Sequence, residues 1–229
     1  MAAGYRALEE ALGVEFRDPA LLQLALTHRS YIYETPGAGR ESNERLEFLG
    51  DSILAFVCAD FLYRTFPQLN EGELSNLRAA LVKTETLAQF ARDLNLRSFL
   101  LLGKGEQQSG GSQRVLASAF EALLGAIYLD QGLEAVRGVI IPRVEPLART
   151  IVEKRLFKDS KSLLQELAQA REGITPSYRL VSQEGPSHNR EFTVEVLLGE
   201  RVIGRGQGRN KQAAEQEAAH AALDSRGWL

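Results

Sequence analysis

The chain has 229 residues, which at ~100–200 residues per domain allows one large domain, or a medium domain with a small one. Hydrophobic residues make up 44% and charged residues 25%, a globular composition that excludes collagen-like, low-complexity and wholly disordered chains. The formal net charge of −3 divides into 17 Lys and Arg against 20 Asp and Glu in residues 1–157, and 10 against 10 in 158–229. Neither half is a basic sponge for polyanions, so any such binding must come from locally clustered Arg and Lys.

Apolar runs such as Leu123–Leu129 fall far short of the ~18–20 residues of a bilayer span, which predicts no membrane contact. Met1 to Arg6 carries no apolar stretch behind its first basic residue, so no secretory signal is expected. A single cysteine, Cys58, cannot pair within the chain and fits a reducing cytoplasm, where it serves as a core filler.

In chain order, Asp18-Pro19 is a helix opening, an Asp cap with Pro at the first helical position, leading into Leu21, Leu22, Leu24, Ala25 and Leu26. A long amphipathic stretch runs from Asn43 to about Phe66 and is stopped by Pro67. Further helices are predicted over about Glu73–Leu94, Gln113–Asp130 and Leu133–Val152, with the Gly- and Ser-rich segment from Gly103 to Ser112 as a loop. The second half has another rhythm. Ser160 or Ser162 opens a helix with Leu163, Leu164, Leu167 and Ala170, ended by Gly173. Three short strands follow over Tyr178–Val181, Phe192–Leu197 and Val202–Gly204, with Gly199-Glu200 as a hairpin turn. Asn210 then caps an alanine-rich helix to about Asp224. The reading is an all-α domain over 1–150, a linker at 151–158, and a small α+β domain of order α-β-β-β-α over 159–229.

The chemistry concentrates at Asn43-Glu44-Arg45-Leu46-Glu47-Phe48-Leu49-Gly50-Asp51. At ~100° per residue, Glu47 and Asp51 lie about 60° and 20° round the helix from Glu44, so three carboxylates share one stripe. Beside Leu46, Phe48 and Leu49 such a stripe is costly unless a cation balances it, and hard oxygen ligands suit Mg²⁺ or Mn²⁺. A solvated acidic face paired with bases explains the spacing equally well. Glu121 is a lone carboxylate in an apolar segment, and Glu71 and Glu73 sit where a helix N-terminus favours negative charge.

The string at 43–52, Asn-Glu-Arg-Leu-Glu-Phe-Leu-Gly-Asp-Ser, resembles the highly specific signature of the ribonuclease III family. Leu26-Thr27-His28-Arg29-Ser30, Phe66-Pro67 with Glu71-Gly72, Leu77-Arg78-Ala79 and Phe120 to Ala126 agree with it, and the resemblance extends over essentially the whole chain. It implies a helical endonuclease domain that forms a homodimer and cuts both strands of double-stranded RNA, leaving 5′-phosphates and short 3′ overhangs. It further implies Glu47, Asp51 and Glu121 as catalytic metal ligands, with Mg²⁺ as the cofactor and Mn²⁺ as a substitute. Glu44 and Glu71 match acidic positions lining the RNA cleft. The expected setting is cytoplasmic processing of rRNA and mRNA precursors. One position departs from the pattern: Ser118 stands where the family has a metal-site Asp, one turn before Glu121. A neutral hydroxyl removes one formal charge from the site and makes Ser118 a weak ligand.

Histidine offers no rival chemistry, since His28, His188 and His220 are spread over both halves, and His28 reads as structural. Gly103-Lys104-Gly105 lacks the ending and the preceding strand of a phosphate-binding P-loop. The second half is similar to double-stranded RNA-binding domains. That likeness implies duplex contacts from Gln165 and Glu166 in a minor groove, Lys161 near phosphate, and His188 in a second minor groove. It also implies Arg209, Asn210 and Lys211 across the major groove, where Asn210 and Gln212 replace the Ser and second Lys of the family's Ser-Lys-Lys step. Two functions follow from these residues. One is a metal-dependent, double-strand-specific endoribonuclease. The alternative is a duplex-binding protein whose cleavage is impaired because of Ser118.

Overall fold

Helix follows helix through the first half, as the 3.6-residue pattern predicts. The computed structural model describes residues 5–35, 37, 41–108, 112–153, 160–186 and 190–228. Contacts divide the chain into two units, Met1–Val152 and Glu153–Leu229. The first holds α1 (Arg6–Leu12), α2 (Pro19–Ala25), α3 (Arg29–Glu34), α4 (Glu44–Thr65), α5 (Glu71–Val82), α6 (Thr84–Asp93), a 3-10 turn (Leu96–Phe99), α7 (Lys104–Gln108), α8 (Gln113–Gln131) and α9 (Leu133–Glu153). No helix among the described residues is long and apolar enough to cross a membrane.

α8 is the centre of this unit. The Ser112 hydroxyl accepts from the Val115 amide and starts the helix, and Gly132, at φ 83°, ends it. Apolar residues lie all round it, which is the pattern of a buried helix, and α4, α6 and α2 pack on its faces. Phe120, Leu123 and Leu124 are fully buried, each contributing roughly 1.5–3 kcal/mol. α4 ends at Phe66, because Pro67 can neither donate nor follow a helical residue.

Two predicted elements differ from the structure. The helix expected over Glu73–Leu94 is two helices, α5 and α6, separated by Lys83 in extended backbone at φ −68° and ψ 153°. The Thr86 hydroxyl donates to the Ala80 carbonyl at 2.9 Å, and the Thr86 amide turns to the Lys83 carbonyl. These bonds replace helical ones, so Leu77 and Leu81 on α5 and Leu87 and Ala91 on α6 all reach the core. The loop expected from Gly103 to Ser112 contains α7, with residues 109–111 outside the described set. The linker expected at 151–158 begins inside α9, and residues 154–159 lie outside the described set.

α3 has no buried residue. It is fastened by polar bonds instead. His28 Nδ1 caps the Ser30 amide and meets the Ser30 hydroxyl at 2.8 Å, and that hydroxyl accepts from the Gly103 amide at 2.9 Å. One turn on, Glu34 accepts from the Lys104 amide at 2.7 Å.

The second unit holds α10 (Ser160–Glu172), β1 (Ser177–Glu184), β2 (Glu191–Leu198), β3 (Arg201–Gly208) and α11 (Lys211–Ser225). The strands form one antiparallel sheet in the order β1-β2-β3, each longer than the sequence pattern suggested. Tyr178 faces Val196 across the first ladder, and Val194 and Val196 turn inward onto Leu163, Leu164, Ala214, Ala218 and Ala222. Small residues let α11 lie close on the sheet: a Cβ on Gly206 would stand 2.1 Å from the Ala218 amide nitrogen. The Trp228 ring packs against this core between the guanidinium groups of Arg171 and Arg226, 5.0 and 4.8 Å from its centroid.

Candidate active site and RNA-binding face

α4 and α8 meet backbone to backbone. A Cβ on Gly50 would lie 1.7 Å from the Glu121 carbonyl oxygen, and one on Gly125 would lie 2.3 Å from the Leu46 carbonyl oxygen. Two glycines that face each other on the two helices therefore remove the side chains that would hold the axes apart. The start of α4 is held by Asn43, 2% exposed, whose side-chain amide donates to the Ala25 carbonyl at 3.2 Å and whose backbone amide bonds the Thr27 carbonyl.

Across this contact stand Glu47 and Asp51 of α4 and Ser118 and Glu121 of α8. The Ser118 hydroxyl donates to Glu47 Oε1 at 2.7 Å, so Ser118 faces the carboxylates. Glu121 is more than half buried, and its acid is pushed up to about 7, first by burial and then by the negative charges of Asp51 and Glu47. Among the described residues, no three His, Cys, Asp or Glu side chains converge as a ready-made metal cage. The donor set nonetheless fits a hard divalent cation: oxygen ligands only, one of them half-buried and short of positive charge.

Of the other acidic candidates, Glu44 lines one recess together with Glu47 and Ser118. Glu44 is exposed, accepts from the Ser42 hydroxyl at 2.8 Å and pairs with Arg29 at 3.4 Å. Glu71 is the first residue of α5 and accepts from the Ser75 hydroxyl, and Glu73 completes a capping box with Asn70, as charge at a helix N-terminus should. His28 is a helix cap, in keeping with a structural role. A signal missed in the sequence is Gly125 as the partner of Gly50. The close approach of Gly50 and Gly125 is a relation between two helices that neither string states alone.

In the second unit Gln165 and Glu166 are exposed on α10, and Arg209 and Lys211 are exposed at the start of α11. The Lys161 ammonium pairs with the Glu215 carboxylate and lies 4.8 Å over the Tyr178 ring, which ties α10 to α11. The Asn210 side chain accepts from the Ala213 amide at 2.8 Å as the cap of α11. His188 lies outside the described residues.

Residues 18–146 match the family model described as ribonuclease-III-like, and residues 160–225 match the double-stranded RNA binding motif. A ribonuclease 3 of Pelotomaculum thermopropionicum is 49% identical over 218 residues, covering 94% of this chain and 90% of that one. A ribonuclease 3 of Roseiflexus is 48% identical over 222 residues, covering 95% and 94%. The nuclease domain of a ribonuclease III from Campylobacter jejuni, described for flexibility in a region involved in dimer formation, superposes with a TM-score of 0.57. It is 39% identical and spans 62% of this chain and 97% of that one. Fold and site thus define a helical nuclease joined to a duplex-RNA-binding module. The chain belongs to the ribonuclease III family, whose members are metal-dependent endoribonucleases of double-stranded RNA.

Proposed function

We propose that this endoribonuclease cuts duplex RNA at the α4–α8 crossing, with Glu47, Asp51 and Glu121 holding divalent ions, Mg²⁺ in the cell and Mn²⁺ in its place. The observation that carries this reading is the half-buried Glu121, set against Asp51 and Glu47. Such ions, when bound, activate water and stabilise the leaving 3′ oxygen. The protein's own part is positional. Ser118 fixes one oxygen of Glu47, the glycine contact sets the spacing of α4 and α8, and Glu44 and Glu71 border the cleft. Products with 5′-phosphates and short 3′ overhangs, from rRNA and mRNA precursors in the cytoplasm, complete the reading.

A second copy of the chain covers the outer face of α4, where Phe48 is 78%, Phe56 56% and Tyr63 75% exposed. A solvated patch of this kind is unusual for a monomer, and sedimentation equilibrium reads the mass of one chain or two. Duplex RNA is held by shape, through Gln165 and Glu166 on α10 and through Arg209 and Lys211 beside the start of α11. Lys211→Ala is expected to weaken duplex binding and to lower the slope of log K against log salt by about one, since one phosphate contact is lost. An unchanged slope would remove Lys211 from the phosphate.

The deciding experiment is incubation of end-labelled duplex RNA with the protein and Mg²⁺, followed by mapping of the product ends. Binding without cleavage, even with Mn²⁺ and excess protein, would leave a duplex-binding protein with an impaired site. Ser118→Asp tests the departure from the family pattern directly. The new carboxylate adds a charge next to Glu47, so cleavage at limiting Mg²⁺ should rise about 10-fold or more. The half-maximal Mg²⁺ concentration should fall, and the metal-free protein should melt a few degrees lower through like-charge repulsion. If rate and Mg²⁺ dependence both stay put, Ser118 does not limit the site.

A further inference from the structure

On the side of the α4–α8 crossing that carries Glu44 lies a recess of about 350 Å³, walled by Arg29 and Tyr33 of α3, Glu44 and Glu47 of α4, and Arg114 and Ser118 of α8. Its carboxylates repel a polyanion, so any RNA strand entering it needs a cation that is free to meet phosphate. Arg29 is engaged with Glu44 at 3.4 Å. Arg114 is exposed and makes no hydrogen bond or ion pair with any described residue. It is also the second residue of α8, a cation at the positive end of a helix dipole, where a base is unfavourable to the fold. A local rule broken with no gain to the fold marks a residue kept for another purpose.

We infer that Arg114 is a positioning residue that holds a backbone phosphate of the duplex flanking the bond to be cut. The inference rests on the reading of the α4–α8 crossing as the cleavage site and deepens it. Arg114 and Ser118 are one turn, about 6 Å, apart along α8, and Ser118 in turn touches Glu47. Helical side chains lean toward the N-terminus, so Arg114 leans away from Ser118 and from the Glu47 carboxylate that Ser118 bonds. Its guanidinium therefore meets a neighbouring phosphate and not the scissile one. A planar guanidinium suits that task, because its paired N–H groups match two phosphate oxygens.

A contact made equally in ground and transition states changes KM and leaves kcat alone. Steady-state cleavage of a labelled duplex by the full-length Arg114→Ala protein with Mg²⁺ should give a KM about 3–10-fold higher, kcat within about twofold, and a salt slope lower by about one. Arg114→Lys should restore the salt slope and most of the affinity, because the charge returns without the fork. Arg6→Ala, which removes an equal charge paired with Glu10 outside the recess, should leave KM unchanged. An unchanged KM and slope in Arg114→Ala, a kcat loss at constant KM, a Lys variant no better than Ala, or an equal effect of Arg6→Ala each overturns the assignment. A native chain that binds duplex without cutting it overturns the cleavage-site reading instead, so the two failures are distinct.

Discussion

Glu121→Gln is expected to reduce duplex cleavage by at least about 100-fold, to leave duplex binding within about twofold, and to make the metal-free protein more resistant to heat. Loss of cleavage follows from removing a ligand charge at constant size, a larger insult than the ~10–100-fold typical of residues one shell out. Binding survives because the exposed contacts of the second unit are untouched. The gain in stability follows from the sign of the Glu121 shift. Its acid sits near 7 in the folded protein, above its ordinary 4.5, because burial and then Asp51 and Glu47 disfavour the charged form. A carboxyl raised in this way destabilises the fold at pH values above about 7, and the cost fades as pH falls through 7 toward 4.5. Discounted for partial solvent screening, the cost is of order 1 kcal/mol. Gln removes it, so Tm at pH 8 should rise by about 2–4 °C, and the advantage should shrink toward zero near pH 5. A variant that cuts normally would take Glu121 out of the site. One with unaltered Tm at pH 8 would deny the burial of its charge.

Gly50→Ala is expected to be the most damaging single methyl group in the nuclease unit. The new Cβ would stand 1.7 Å from the Glu121 carbonyl oxygen and 3.0 Å from the Gly125 nitrogen, both main-chain atoms that cannot rotate aside. Either α4 or α8 must move as a body. Overpacking of well-filled cores costs about 1–3 kcal/mol, and a clash against backbone belongs at the upper end, which corresponds to a Tm lower by about 6–12 °C. Separation of the helices also spreads Glu47 and Asp51 from Glu121. Misplacement by about 1 Å can cost 10²-fold in rate, so cleavage should fall by about that factor even where the protein stays folded. Gly125→Ala should behave alike, since its Cβ meets the Leu46 carbonyl at 2.3 Å. Melting and cleavage both at native levels would show that α4 and α8 do not touch at these glycines.

Residues whose roles are local are legible in the amino-acid sequence. Asp18-Pro19, the Asn43–Phe66 stretch, the Ser112–Gly132 helix and the α-β-β-β-α order all carry caps, stops or periodicities within a few residues. Roles that depend on partners far along the chain are not. The break at Lys83 is invisible because the apolar period runs through it, and only the bond from Thr86 back to Ala80 reveals the bend. The pairing of Lys161 with Glu215, 54 residues on, is likewise absent from either local string. Arg114 has no signature at all, since a single Arg at a helix start is unremarkable until its neighbours across a recess are known. Ser118 is the intermediate case. Its departure is readable from the family pattern, but the bond to Glu47 needs the facing helix.

The polar fastening of α3 gives the recess walls of unequal rigidity. One wall is α8, whose release would expose Phe120, Leu123 and Leu124 and so amounts to unfolding the unit. The other is a six-residue helix with nothing buried, tied by His28, Ser30 and Glu34 to the chain at Gly103 and Lys104. Each such bond contributes only about 0.5–1.5 kcal/mol net, so α3 can detach at a small fraction of the global unfolding energy. Amides of α3 should accordingly exchange with solvent much faster than those of α8, and equal protection of the two would contradict this. On the reading of the recess as the entry for an RNA strand, a bulky, irregular duplex is then admitted by yielding on the Arg29 and Tyr33 side while Ser118 and Glu47 keep their places. That reading assigns breadth of substrate shape and strictness of chemistry to opposite sides of one cavity.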